Sequence, residues 1–358
     1  MCTAYVYIMS NGIKIRSEFN KHGNVLISDQ FNNRVIETTP RGEIVWSFGL
    51  GPNDFTFNSI IGVNDAQRIG SLTLMAGTGT PQGVLPPPND GQHVDNRVII
   101  VDKHGKIIWQ YGQFGVTGSG PNQLNAPVQS TFVPHHWGHE SHVSKGTVLI
   151  TDQGNNRIIE VSIRTKQIVW QFPADLTSSV LNSPNSAERL HNGHTLIADE
   201  NNNRAIEVNR RGEIVKTFTA GGTLGACAFA SRLPNRNTLL TDTGNSRIVE
   251  VDSHDNIVWQ YIIIADFNSV STPLPTRGIR LKNGDTIISD QTDNRVIIVN
   301  QTTNVKEIYG LPSGIVGNVP SLPPDGFNAG FDLHTTQLGL FGPYDAKIIG
   351  DYTGLTPV

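Results

Sequence analysis

Cysteine is nearly absent: Cys2 and Cys227 are the only two in 358 residues. They could form at most one bridge, and a chain this long can bury a core without it, so a reducing, cytoplasmic setting is expected. A leader is also missing from view. Residues 1–19 carry no basic start and no long apolar stretch, and their few apolar residues are interrupted at Ser10, Asn11 and Gly12, so no signal peptide is expected. No long hydrophobic run occurs either. The longest apolar cluster, residues 257–265, is broken by Gln260 and is far too short to span a bilayer. Charge is sparse, at 16% Asp, Glu, Lys and Arg with a net charge of −4. The chain as a whole therefore offers no footprint for nucleic acid or an anionic membrane, and neither is expected as a partner. A P-loop, a GxGxxG turn and a Ser-His-Asp spacing are likewise missing.

What the chain has instead is glycine and proline, 36 and 20 residues, a composition suited to many short strands joined by turns. One sequence unit recurs: LISDQFNNRVIETTPRGEIVWSF (26–48), LITDQGNNRIIEVSIRTKQIVWQF (149–172), LIADENNNRAIEVNRRGEIVKTF (196–218), LLTDTGNSRIVEVDSHDNIVWQY (239–261) and IISDQTDNRVIIVNQTTNVKEIY (287–309). A sixth copy is split, beginning at LTLMAG (72–77) and resuming as DNRVIIVDKHGKIIWQYG (95–112) after a Pro-rich insertion. The apolar runs are short, rich in Val and Ile, and separated by Gly, Asn and Asp, which reads as strands. A further segment precedes each unit, as in AERLHNG (187–193), ASRLPNR (230–236) and GIRLKNG (278–284), making four strands, A to D. Four-stranded sheets that are apolar on both faces must stack against copies of themselves, and closing the ring removes most exposed edges.

The unit resembles NHL-type repeats and the repeats of arylsulfotransferase-like propellers, in the pattern NGxTLIxDxxNNRxxEVxxxGxIVW over most of the chain. The expected fold is all-β, a single six-bladed β-propeller with four-stranded antiparallel blades at roughly 13–49, 64–112, 133–172, 186–218, 229–261 and 277–310. The segment 311–358 is then left for ring closure and the rim. The alternative is seven blades, the two ends building a degenerate last one.

A residue present in every blade belongs to the blade. The Asp-x-x-x-x-Arg pairs Asp29/Arg34, Asp152/Arg157, Asp199/Arg204, Asp242/Arg247 and Asp290/Arg295 bracket the B–C loop and read as structural staples. Trp46, Trp109, Trp170 and Trp259 in strand D read as inter-blade packing. His22, His104, His191, His194 and His254 fall in A–B and C–D turns, which share one rim.

The other rim carries the B–C loops and D–A connections. The insertion 80–94 is expected there, and so is a long connection into blade 3 that includes Pro134-His135-His136-Trp137-Gly138-His139-Glu140-Ser141-His142. Long irregular loops in a compact domain are usually functional. Counting back ten residues from the strand-B Asp places His142, Arg189, Arg232 and Arg280 on the inner strands, with Arg68 near the equivalent position. These arginines either form a cationic ring for an anion or pair with acidic neighbours. Cys227 precedes strand A of blade 5 and reads as a small buried hydrophobe. The His run invites a metal, but its spacing fits neither a strand nor a helix ligand set, so no metal site is assigned and the cofactor is left open.

The arylsulfotransferase-like resemblance implies a channel histidine as nucleophile flanked by His and Arg. On that basis His142, His136 and His135 are the candidate catalytic residues, with Arg189, Arg232 and Arg280 to bind the ligand; Glu140, two residues before His142 and on the same strand face, joins the catalytic set as its partner, and Arg68 and Trp137 join the ligand-binding set. The expected function is an enzyme of transferase, lyase or hydrolase type, acting on a small anionic molecule at the loop-rim mouth of the channel. The alternative is a non-enzymatic binding or scaffold propeller that recognises a protein or glycan.

Overall fold

Tandem strands of β-branched residues, each four-strand unit ending where the next begins, curl into a ring of six blades. The structure is a computed structural model, and it describes residues 7–8, 14–15, 18–85, 87–135, 143–265, 272–310, 334–336 and 339–351. Blade 2 takes strands A to D from Val63–Ile69, Leu72–Gly77, Arg97–Val101 and Ile107–Gly112. Blade 3 takes them from Pro127–Val133, Thr147–Asp152, Arg157–Ser162 and Ile168–Phe172. Blade 4 uses Pro184–Arg189, Thr195–Asp199, Arg204–Val208 and Ile214–Phe218. Blade 5 uses Cys227–Arg232, Thr238–Asp242, Arg247–Val251 and Ile257–Ile262. Blade 6 uses Pro275–Arg280, Thr286–Asp290, Arg295–Val299 and Val305–Tyr309. Every A–B, B–C and C–D pair in these blades is antiparallel.

Blade 1 is composite and settles the count at six. Its inner strand is Pro343–Ile348, paired with Val25–Asp29, which continues into Arg34–Thr38 and Ile44–Phe48. The two ends of the chain thus close the ring on one sheet, rather than adding a seventh. Blade 3 also differs from expectation, because its inner strand starts at Pro127 and not at 133.

The core lies between blades. Leu196, Ala198, Ala205 and Phe218 of blade 4 pack with Ala230, Leu240 and Val249 of blade 5. On the loop rim the Asp/Arg staples hold as expected, with ion pairs of 2.7 Å at Asp29/Arg34, 2.6 Å at Asp152/Arg157, 2.8 Å at Asp199/Arg204, 2.6 Å at Asp242/Arg247 and 2.9 Å at Asp290/Arg295. Blade 2, whose B–C loop carries the insertion, uses Asp95/Arg97 at 2.5 Å instead.

The turn before each Arg needs a left-handed residue, supplied by Asn33, Asn96, Asn156, Asn203 and Asn294 at φ 49° to 59° and by Ser246 at 51° in blade 5, a conformation Asn tolerates well. Their side chains do a second job. Asn33, Asn96, Asn156, Asn203 and Asn294 accept the backbone N–H of Gly62, Ala126, Ser183, Ala226 and Gly342, stitching five of the blades to the connection into the next, while in blade 5 the Ser246 hydroxyl donates to the Pro273 carbonyl.

Candidate functional site

The four arginines expected in the channel sit on inner strands, but their charge is directed into the walls between blades. Arg68 pairs with Glu37 at 2.6 Å, Arg189 with Glu160 at 2.7 Å, Arg232 with Glu207 at 2.9 Å and Arg280 with Glu250 at 3.1 Å. In each case the Glu lies on strand C of the preceding blade. Arg68, Arg189 and Arg280 also stack over Trp46, Trp170 and Trp259 at 4.5 to 4.7 Å, and Arg232 lies over Phe218 at 5.5 Å. Each side chain is an ion pair and a cation–π contact at once. Of the two readings left open for these residues, the structure shows the pairing one.

The equivalent positions in the other two interfaces confirm the rule. Strand C of blade 2 has Ile100 where the others have Glu, and the arginine position of blade 3 is Phe132, which faces Val148. Blade 6 has Ile298 there, and blade 1 answers with Ile348. His142 is therefore not the member of this row in blade 3. It lies outside the described residues, as do His136, Trp137 and Glu140. All four fall between Val133 and Thr147, the sequence joining strands A and B of blade 3, so this connection springs from the turn rim and not from the loop rim. His135, at its start, is exposed. The insertion 80–94 does emerge on the loop rim, held by a Thr80–His93 bridge, with the His93 ring stacked on Phe55. The connection 113–126 does lie beside the insertion on the loop rim, with Asn96 donating to the Val116 carbonyl and Thr117; only the histidine-bearing segment after Val133 starts from the other rim.

What the loop-rim end of the channel does contain is a set of polar residues from all six blades. The residue after each strand-B Asp points inward: Gln30, Gln153, Glu200, Thr243 and Gln291, with Thr78 at the start of the blade 2 loop. They link blade to blade. Gln291 donates to Gln30, Gln30 to Asn64 at 2.7 Å, Thr78 to the Pro127 carbonyl at 2.7 Å, Gln153 to Glu200 at 3.4 Å and Thr243 to the Pro275 carbonyl at 2.6 Å. Below them Asn185 of blade 4 donates to the Tyr344 hydroxyl of blade 1, directly across the ring, and to Glu200, both at 2.8 Å.

At the centre of this floor stands Arg277, on strand A of blade 6 and 1% exposed. Its Nη1 donates to Asn185 Oδ1 and to the Thr276 carbonyl, both at 2.9 Å, and its guanidinium lies within 3.4 to 3.5 Å of the carbonyls of Val128, Asn185 and Ala228. The Phe229 and Tyr344 rings flank it at 5.2 and 4.9 Å. No carboxylate lies within ion-pair distance of Arg277 among the described residues, and its Nε has no partner. A buried cation whose direct hydrogen bonds go to neutral acceptors, with Glu200 and Asp345 acting on it only from farther off, is costly.

The electrostatics around Arg277 follow from burial. The Glu200 carboxyl is pushed up by desolvation, against the pull of Asn185 and Arg277, and burial pushes the Tyr344 phenol up as well. Deeper in the channel Lys347 of blade 1 donates to Asp65 at 2.8 Å and to Asp345, and the attraction of these two carboxylates raises its amine against burial. Among the described residues Glu188 of blade 4 accepts only the Arg232 backbone N–H, and burial pushes its carboxyl up to about 8. The Cys227 thiol is buried and pushed up well above the ordinary thiol range, the behaviour of a small hydrophobe. Among the described residues no cluster of three His, Cys, Asp or Glu could hold a metal ion, and no helix is long and apolar enough to cross a membrane.

Residues 94–320 match the model of a family described as outer membrane protein assembly factor BamB. No curated protein matches the sequence. Among solved structures, a protein of unknown function from Bacteroides caccae is similar, with a TM-score of 0.51 and 11% identity over 80% of this chain and 92% of that one. A chain of the nidogen/laminin complex is similar to the same degree, with a TM-score of 0.51, 11% identity and coverage of 80% and 92%. Virginiamycin B lyase from Staphylococcus aureus has a TM-score of 0.49 and 12% identity, with 85% and 83% of the chains covered. The first two likenesses show the propeller fold alone.

Proposed function

The chain belongs to the β-propeller family described as outer membrane protein assembly factor BamB, and we propose that it is a binding propeller whose loop-rim mouth takes a small anionic molecule. Arg277 carries this reading: a buried guanidinium at the meeting of inner strands, with no carboxylate in ion-pair contact among the described residues. An anionic group entering the mouth would replace Asn185 Oδ1 as acceptor and offset the cost of burying the cation. Gln30, Gln153 and Gln291 would orient the rest of the ligand, since each amide offers a donor and an acceptor.

The test is calorimetric titration of sulfate, phosphate and citrate at low ionic strength. One of them should bind in a 1:1 ratio, at least tenfold more weakly to Arg277→Gln of unchanged circular dichroism. That ratio corresponds to about 1.4 kcal/mol. No binding by the native protein, or equal binding by the variant, would overturn the reading.

A second reading, in which the bound molecule is also turned over, has one observation in its favour. Glu200 lies at the same mouth with its carboxyl raised by burial, as a general acid requires. It is checked by release of nitrophenol from p-nitrophenyl phosphate, sulfate and acetate, which should be lost in Glu200→Gln while anion binding survives.

A further inference from the structure

In blade 2 the insertion 80–94 replaces the short staple turn of the B–C loop, and it is held on both sides. At its base Thr80 donates to the His93 carbonyl at 2.7 Å and His93 to the Thr80 carbonyl at 3.0 Å, and farther out Gly83 donates to the Asp90 carbonyl at 2.8 Å. Toward blade 1, Asn89 donates to Asn53 at 2.7 Å and the His93 ring stacks on Phe55. Toward blade 3 stands the connection 113–126, turned by a Thr117–Leu124 bridge and tied to Asn96.

Between these two segments lies a cleft of about 140 Å³, walled by Thr80, Gln92 and His93 of the insertion and by Thr117, Asn125 and Ala126 of the connection. Sites for drug-sized ligands run to roughly 300–1,000 Å³, so the occupant is small, about one ring. Among the described residues no Asp, Glu, Lys or Arg lines the cleft, and a charged ligand would find no counter-charge there. Thr80 is 2% exposed and its hydroxyl has no hydrogen-bond partner, an arrangement that is rare and unfavourable for a buried polar group. Among the described residues the Gln92 and Asn125 side-chain amides make no hydrogen bond either. All three groups can both donate and accept. The backbone groups of Thr80 and His93 are engaged with each other, which leaves them closed to an extended peptide.

We propose that this cleft binds a neutral, hydroxyl-rich ring, the pyranose unit of a sugar. A hydroxyl is donor and acceptor at once, so vicinal hydroxyls match the Gln92 and Asn125 amides and a third completes Thr80. The C–H face of the ring would lie against Pro81 and Val94, the apolar part of the lining. The tied insertion holds this wall in place before the ligand arrives, which lowers the entropy cost of binding. The proposal does not rest on the anion site at Arg277.

The experiment is amide-resolved NMR of the full chain, titrated with glucose, galactose, mannose, N-acetylglucosamine and their methyl glycosides. At least one sugar should shift the Thr80, His93, Thr117 and Asn125 amides saturably at millimolar concentration. Equal binding of its methyl glycoside would assign the cleft to the end of a glycan, and loss of binding to a free sugar. Thr80→Val and Asn125→Ala should each weaken binding about fivefold, as the loss of one hydrogen bond does. Thr80→Val should keep its melting temperature, because the hydroxyl it removes has no partner within the protein, and Arg277→Gln should leave the titration unchanged. No shift of these amides by any of the sugars, or equal binding by both cleft variants, would overturn the proposal. Shifts produced by acetamide and by none of the sugars would also overturn it, by assigning the cleft to an amide side chain of a protein.

Discussion

At Arg68 two costs are cancelled by one arrangement: the guanidinium loses water but gains the Glu37 carboxylate, the Thr73 hydroxyl and the Phe19 and Trp46 faces. Removing only the acid leaves a buried charge unpaired, a loss of about 3–5 kcal/mol. Glu37→Ile should therefore destabilise the protein strongly in denaturant melts. Adding Arg68→Phe copies the Ile100/Phe132 combination between blades 2 and 3 and should restore more than half of the loss. A double variant no better than the single one would show that the two residues are not a unit. This rule was legible in the sequence. The pattern RxIEV carries the Glu in the same blades whose successors carry the Arg, and the two blades with Ile in its place are followed by Phe132 and Ile348. Reading strand A alone finds the cations without their partners, which is why they resemble a ring. Cys227, fully buried with its thiol pushed up, should resist alkylation by iodoacetamide in the native protein and react only on unfolding.

At the scale of the strand, regular copies were easy to place and irregular ones were not. Counting back ten residues from the strand-B Asp assumes a short A–B turn. Blades 4, 5 and 6 have one, whereas blade 3 separates Val133 from Thr147 by a long connection, so the count landed on His142 instead of Phe132. The floor of the mouth escaped for a different reason. Gln30, Gln153 and Gln291 repeat directly after the staple Asp, and a residue repeated in several blades reads as structural. Arg277, by contrast, is an exception within its row, opposite Asp345, Asp65, Gln129, Ser186 and Phe229 in the other inner strands. That difference was available from an alignment of complete inner strands. The same strands carry a pH dependence. Glu188 has a folded-state pKa of about 8, above its ordinary value of 4.5, so the native state holds a proton that the unfolded chain releases. Its contribution is fully present below about pH 4.5 and is lost as pH rises toward 8. Glu188→Gln should match the native protein near pH 5 and exceed it in stability at pH 8.5. A native protein whose stability relative to the variant does not change between those two pH values would contradict the assignment.

For the whole molecule, ring closure rests on one short strand, Pro343–Ile348, which joins both ends of the chain in blade 1 and ties Lys347 to Asp65 of blade 2. Deleting residues 339–358 removes the inner strand of a blade, exposes the edge of Val25–Asp29 and leaves Asp65 without its cation. Calorimetry should then show loss of the single cooperative transition. Closure also brings Tyr344 to Asn185 across the ring and so completes the floor around Arg277. The proposed binding site is in this sense a property of the closed ring, because its parts come from blades 1, 3, 4, 5 and 6. The most direct check is the location of a bound anion. Crystals soaked in sodium bromide should show an anomalous bromide peak in the loop-rim mouth within hydrogen-bond reach of the Arg277 guanidinium, and crystals of Arg277→Gln should lack it. Bromide confined to exposed lysines and arginines, or an undiminished peak in the variant, would contradict the account.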